Sequence, residues 1–207
     1  GDDQDQLPVL QHALRRTWDH WEHHRQSGEP IDAADYEAIG TLRNALSLHA
    51  EEAYQETKQD RGRQIAERMF RALTDTYSDS RGVRHPTSVR ELTEIGDASE
   101  DEVIEVVEIF RRPGRSFLMP PDTGPLGPRS IIDLSHESLM RRWTRLVEGA
   151  EQDRRSASMY MRLSQAARWH AEGTAGLLRN PELELGLQWK RDNRPTPAWG
   201  RRHDEWF

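Results

Sequence analysis

The sequence predicts a mainly α-helical protein. A small helical domain spans residues 1–58, a winged-helix domain with a short two-stranded wing spans 59–147, and a C-terminal helical extension spans 148–207. Three observations carry this reading. Apolar residues recur at three- and four-residue spacing through most of the 207 residues. Two Ser-x-x-Glu boxes, Ser88 to Glu91 and Ser99 to Glu102, each stand where a helix should open. The short apolar runs Phe117 to Met119 and Ile131 to Leu134 flank a loop rich in Pro and Gly, which is the pattern of a wing.

In chain order, Leu7, Leu10, Leu14, Trp18 and Trp21 mark one face of a helix running to about Arg25. Pro8 suits its first turn, where a missing N–H costs little. Ser27-Gly28-Glu29-Pro30 breaks the chain, Asp32 caps a short helix through Tyr36, and Leu42, Leu46, His49 and Ala53 define a third helix after Gly40. Ile65, Met69, Ala72 and Leu73 give the next helix, followed by a polar loop with His85-Pro86. The Ser88 box opens a short helix ending at Gly96. The Ser99 box opens another, with Val103, Val107 and Phe110 inward, that stops at Pro113-Gly114. Helix, helix, helix, strand, loop, strand is the order of a winged helix. Beyond it the pattern stays helical through Trp143, Leu146, Ala150, Ala157, Tyr160 and Trp169, with Gly149 a point of kinking and Gly173 and Gly176 an interruption. Pro181 opens a helix carrying Leu183, Leu187 and Trp189, Pro195 and Pro197 break the chain again, and it ends at Trp206-Phe207. These late apolar stripes read as core packing.

Composition narrows the function classes. A 34% hydrophobic share with seven Trp is enough for a core. The 29 basic against 36 acidic side chains, net −7, disfavour broad binding to nucleic acid or an anionic membrane. Zero Cys excludes disulfides and thiolate zinc sites and fits a reducing compartment, so a cytoplasmic location is expected. No apolar run approaches a membrane span, and the acidic start from Gly1 to Asp5 is unlike a secretory signal. Gly1 in place of Met is the expectation for a piece of a longer protein.

A winged helix invites a DNA-binding reading, and charge weighs against it. The third helix would enter the major groove, but Glu100, Asp101, Glu102, Glu105 and Glu108 precede its terminal Arg111 and Arg112. Among metal candidates, His20 and His24 share a helix face with His23 beside them, yet no third ligand is evident, so a solvated polar face is expected and no metal site. There is no Gly-rich phosphate loop ending in Lys-Ser/Thr, no nucleophile elbow and no telling carboxylate pair, so no catalytic residues are expected in this chain.

The stretch from Ile131 to Leu146 holds the most chemistry. A short strand runs through Ser135, placed to cap a helix whose Leu139, Trp143 and Leu146 share a face. His136 then sits at the first turn, where free N–H groups and the helix dipole suit an anion such as a phosphate. Glu137 opposes this by adding negative charge, and a purely structural role for His136 is the alternative.

Leu7-Pro8-Val9-Leu10-Gln11-His12-Ala13-Leu14, Ile31-Asp32 to Tyr36-Glu37, and Asp133-Leu134-Ser135-His136-Glu137-Ser138-Leu139 together resemble the region after the nucleotide-binding domain in bacterial STAND NTPases, the group that often continues into WD40 repeats. The resemblance implies that this chain is the regulatory portion of a signalling ATPase, with ADP or ATP and Mg bound in the parent protein. It implies that Pro8 packs near the adenine ring. His136 resembles, more loosely, the histidine of a Met-His-Asp motif that contacts the ADP β-phosphate, although Ser135 and Glu137 depart from that motif. The implied partners are the nucleotide-binding domain of the same chain, a downstream sensor domain such as WD40 repeats, and further copies on activation. The alternatives are a winged-helix transcription regulator using Arg141, Arg142, Arg145, Arg154 and Arg155, and an interaction scaffold using exposed aromatics.

Overall fold

Local sequence signals set several helix starts. The computed structural model describes residues 6–25, 28–57, 59–75 and 82–204. Helix α1 (Gln6–His24) carries Pro8 in its first turn, where the N–H would have no intrahelical partner. Asp32 caps α2 (Ala33–Ala38) through a reciprocal box: its Oδ1 accepts from the Ala34 N–H at 2.8 Å, and the Asp35 carboxylate accepts from the Asp32 N–H at 3.1 Å. Gly40, at φ +85°, then turns the chain into α3 (Thr41–Glu56). That left-handed backbone favours glycine, and a Cβ there would also push the Leu48 side chain aside.

Next comes α4 (Gln59–Ala72). In the expected polar loop after it, two short strands, β1 (Thr74–Asp75) and β2 (Val83–Arg84), pair antiparallel. A further strand, β3 (Thr87–Ser88), precedes α5 (Val89–Gly96). Ser88 caps α5 by accepting from the Glu91 N–H, without the return bond of a full box. The full box forms one helix later, where Ser99 and Glu102 open α6 (Glu100–Arg111). Strands β4 (Leu118–Met119) and β5 (Ile131–Leu134) lie where the apolar runs put them. The sheet has three strands rather than two, because β3 pairs with the other edge of β5 in an antiparallel order β3-β5-β4.

The helix expected from Ser135 onward is two. α7 (Ser138–Arg142) ends at Trp143, whose backbone is extended, and α8 (Thr144–Ala171) starts immediately after it. The break drives the Trp143 ring inward, and Gly149 lies within α8 without ending it. α9 (Glu182–Asn193) follows, then α10 (Pro197–Arg201), which Thr196 caps. Pro197 thus begins a helix instead of only ending one. The chain is mainly helical, with ten helices and two small sheets among the described residues. The breaks expected at Ser27 and at Trp206-Phe207, and the acidic start, lie outside those residues.

One buried cluster runs from α3 through α4, α5, α6, β4 and β5 to Trp143 and Leu146, and takes in Val9 of α1. At its centre Phe70 meets Phe110 and Trp143 edge-on, with ring centroids 4.7 and 4.8 Å apart. Two apolar stripes do not face it. On α1 the buried residues are Val9, Ala13 and Thr17, while Leu7 (64%), Leu10 (43%), Leu14 (59%) and Trp18 (51%) are exposed. On α9, Leu183 and Leu187 are exposed, correcting the core-packing expectation there. That helix touches α8 through Gly186, where a Cβ would come within 3.0 Å of Leu163, and through the Trp189 ring beside Tyr160.

Candidate functional site

Of the residues singled out in the sequence, Pro8 lies in α1 and His136 at the junction of β5 and α7. Pro8 is half-buried in the first turn of α1, and its neighbours Leu7, Val9 and Leu10, with Leu42, Arg43, Arg142, Gln6 and Thr41 but not Pro8 itself, line a cleft of about 650 Å³. Its walls are chiefly aliphatic and two guanidinium groups join its lining. It can therefore take a flat apolar group that carries negative charge elsewhere.

His136 is exposed at the junction of β5 and α7. The expected cap is absent: the residue before α7 is Glu137, no side chain caps that end, and the Ser135 N–H instead donates to the Phe117 carbonyl at 3.0 Å. The cause is the sheet. Ser135 continues the pairing of β5 with β4, so the helix begins three residues later. His136 still opens the turn, its carbonyl accepting from the Leu139 N–H at 3.2 Å, and Glu137 is engaged by Arg141 at 2.8 Å. Arg84 of β2 fixes the other side of the junction, donating to Asp133 at 2.9 Å and to the Leu134 carbonyl at 3.2 Å.

A pair of histidines joins α1 to α3. His12, one turn beyond Pro8 on α1, hydrogen-bonds through Nε2 to Nδ1 of His49 on α3 at 3.3 Å, and both rings rest against Phe117 with centroids 5.7 and 5.1 Å from it. Burial first, then the charges of Arg16, His136 and Arg15, push His12 from 6.5 down to about 4, with Asp19 opposing. Burial, Arg16, His12 and Arg115 push His49 down to about 2. Both rings are therefore neutral at pH 7. The His136 charge reaches His12, which lies one helical turn from Pro8 on α1. His49 was visible in the sequence as a polar residue within an apolar stripe. His12 was not, because the leucine stripe beside it dominates the pattern.

The other candidates have ordinary partners. His20 meets Asp35 at 3.0 Å, and His24 stacks on His20 at 4.2 Å while bonding its carbonyl. Among the described residues no group of three or more His, Asp or Glu is placed to hold a metal ion. Arg111 is buried: it donates to Glu108 at 2.6 and 2.7 Å and to the carbonyls of Pro121 and Gly124. It fastens the Pro- and Gly-rich loop rather than adding to a basic surface. Among the described residues no helix is long and apolar enough to cross a membrane.

Compared with known proteins, residues 1–176 match the family model described as Novel STAND NTPase 1. No curated protein and no solved structure matches the chain.

Proposed function

From the premise that the chain belongs to the Novel STAND NTPase 1 family, we propose that it is the regulatory helical and winged-helix portion of a STAND signalling ATPase. In this reading it closes over ADP or ATP and Mg held by a nucleotide-binding domain of the same chain. It passes the nucleotide state to sensor or effector domains such as WD40 repeats, and activation joins further copies, in the cytoplasm. Catalysis belongs to the nucleotide-binding domain. The observation that carries the reading is the outward stripe of Leu7, Leu10, Leu14 and Trp18, which continues into the cleft beside Pro8. Isolated exposed leucines are common, but a whole helix face of them is the form of a surface that another domain covers. The aliphatic wall suits an adenine ring next to Pro8, and the exposed imidazole of His136 suits a phosphate.

The winged-helix reading is supported by the order α4, β3, α5, α6, β4, β5 and by the central place of β5 in the sheet. A DNA-binding regulator fits less well. On α6 the exposed side chains Glu100, Asp101 and Glu105 are acidic, and an acidic face repels phosphates. Of the arginines that such a regulator would use, Arg141 pairs with Glu137, Arg145 with Glu51, and Arg154 and Arg155 with Glu151.

In the full-length ATPase, His136→Ala is expected to speed ADP release by roughly tenfold or more, since a charge-assisted hydrogen bond to phosphate contributes about 1.5–3 kcal/mol. Basal signalling should rise in step, because a ligand shifts an equilibrium only through contacts that differ between the two states. Stopped-flow release of a fluorescent ADP measures it, and an unchanged rate removes His136 from the mechanism.

A further inference from the structure

Helix α1 is docked through small side chains. It buries Val9, Ala13 and Thr17, none of them large, while its leucines point outward. Its polar ties to the body are the Arg16 guanidinium, which donates to both oxygens of Glu52 at 2.7 and 2.9 Å, the His12–His49 bond, His20 against Asp35 at 3.0 Å, and the Trp21 Nε1–H, which donates to the Glu29 carbonyl at 3.1 Å. The histidine contact has an unusual requirement. A hydrogen bond between two imidazole nitrogens needs one nitrogen with a hydrogen and one with a free lone pair. Protonating both rings removes the acceptor and places two cations 3.3 Å apart.

The surroundings offer a second charge little relief. From α1 itself, Arg15 and Arg16 face the pair with one acid, Asp19. On α3, Glu52 is engaged by Arg16 and Glu56 by Arg115, and Arg115 approaches from the turn after α6. His136 faces it from the β5–α7 junction, and the remaining wall is the Phe117 ring.

We propose that the His12–His49 pair is an acid-released latch, which holds α1 against α3 and Phe117 while both rings are neutral and lets the helix lift away as they take up protons. The sign follows from the depressed pKa values. The detached state protonates near 6.5, whereas the docked state resists down to about 4 for His12 and about 2 for His49. Docking strength is therefore complete above 6.5 and is lost as pH falls below it, while the detached state binds up to two more protons. Each extra proton multiplies the opening constant by about tenfold per pH unit, so the pair can reach about a hundredfold per unit. This regulates the flank of α1 whatever ligand binds there, and it stands or fails separately from the nucleotide reading.

The test uses the chain as it is. Hydrogen exchange of the α1 amides, divided by their intrinsic rates, is measured at pH 7 and pH 5. Protection in α1 should fall by between about ten- and several-hundred-fold, while α5 and α6 change far less. In His12→Gln/His49→Asn each amide replaces the bonding nitrogen without a titratable proton, and α1 protection should become nearly independent of pH. If that variant does not fold, NMR titration of the unaltered rings decides: resonances still neutral at pH 5.5 while α1 is docked support the latch. Two rings titrating near 6.5 with α1 docked, or an equal loss of protection in chain and variant, overturn it.

Discussion

Trp143→Ala is expected to cost about 3–5 kcal/mol of unfolding free energy, the range for emptying a core site of this size. The ring is 2% exposed and packs edge-on to Phe70 and Tyr54, and its Nε1–H reaches Glu51 at 3.4 Å. Its backbone also joins two helices, since its N–H donates to the Leu139 carbonyl and its own carbonyl accepts from Val147. Removing the ring therefore loosens α7 together with the core, and α7 holds the turn on which His136 sits. Trp143→Phe keeps an aromatic plane and should lose clearly less. Urea unfolding of both variants measures the difference; a loss under about 1 kcal/mol for alanine would show that the cluster is not the keystone of this junction.

Arg111→Ala should cost about 1–3 kcal/mol, for a different reason. The guanidinium is 2% exposed and makes two bonds to Glu108 and two to loop carbonyls. Truncation leaves Glu108 without its partner and the Pro121 and Gly124 carbonyls without that donor. Lysine should not rescue it, because one ammonium cannot span the carboxylate and both carbonyls in the guanidinium's plane. The reading is again a urea midpoint, joined to hydrogen exchange at Thr123 and Gly124, which should rise well before the helices exchange. Wild-type stability in the alanine variant would mean that the loop is held otherwise.

Where the chain states a local rule, the rule was readable. Asp32, Ser88 and Ser99 sit where helices open, and the two apolar runs around the Pro- and Gly-rich loop became β4 and β5. Features that depend on partners distant in sequence were hidden. Thr87-Ser88 reads only as a cap, yet it is also a strand because β5 has a free edge there. Ser135 reads as a cap and is kept from that role by the strand it continues. The α1 stripe is the most instructive case. Periodicity reports that a face is apolar, and it cannot report what lies opposite. The inward face is the less obvious one, made of Val9, Ala13 and Thr17 with His12 beside it. Pro8 and His136 were named from the sequence, whereas the pairing of His12 with His49 against Phe117 required the fold.

The proposal that α1 is covered by another domain is open to direct measurement in the intact ATPase. Hydrogen exchange and solvent labelling along residues 7–18 are compared in the ADP-bound and ATP-bound protein and in the isolated 207-residue chain. Strong protection of Leu7, Leu10, Leu14 and Trp18 with ADP, reduced with ATP and lowest in the isolated chain, is the expected result. Equal labelling of that face in all three would contradict a lid that closes over nucleotide.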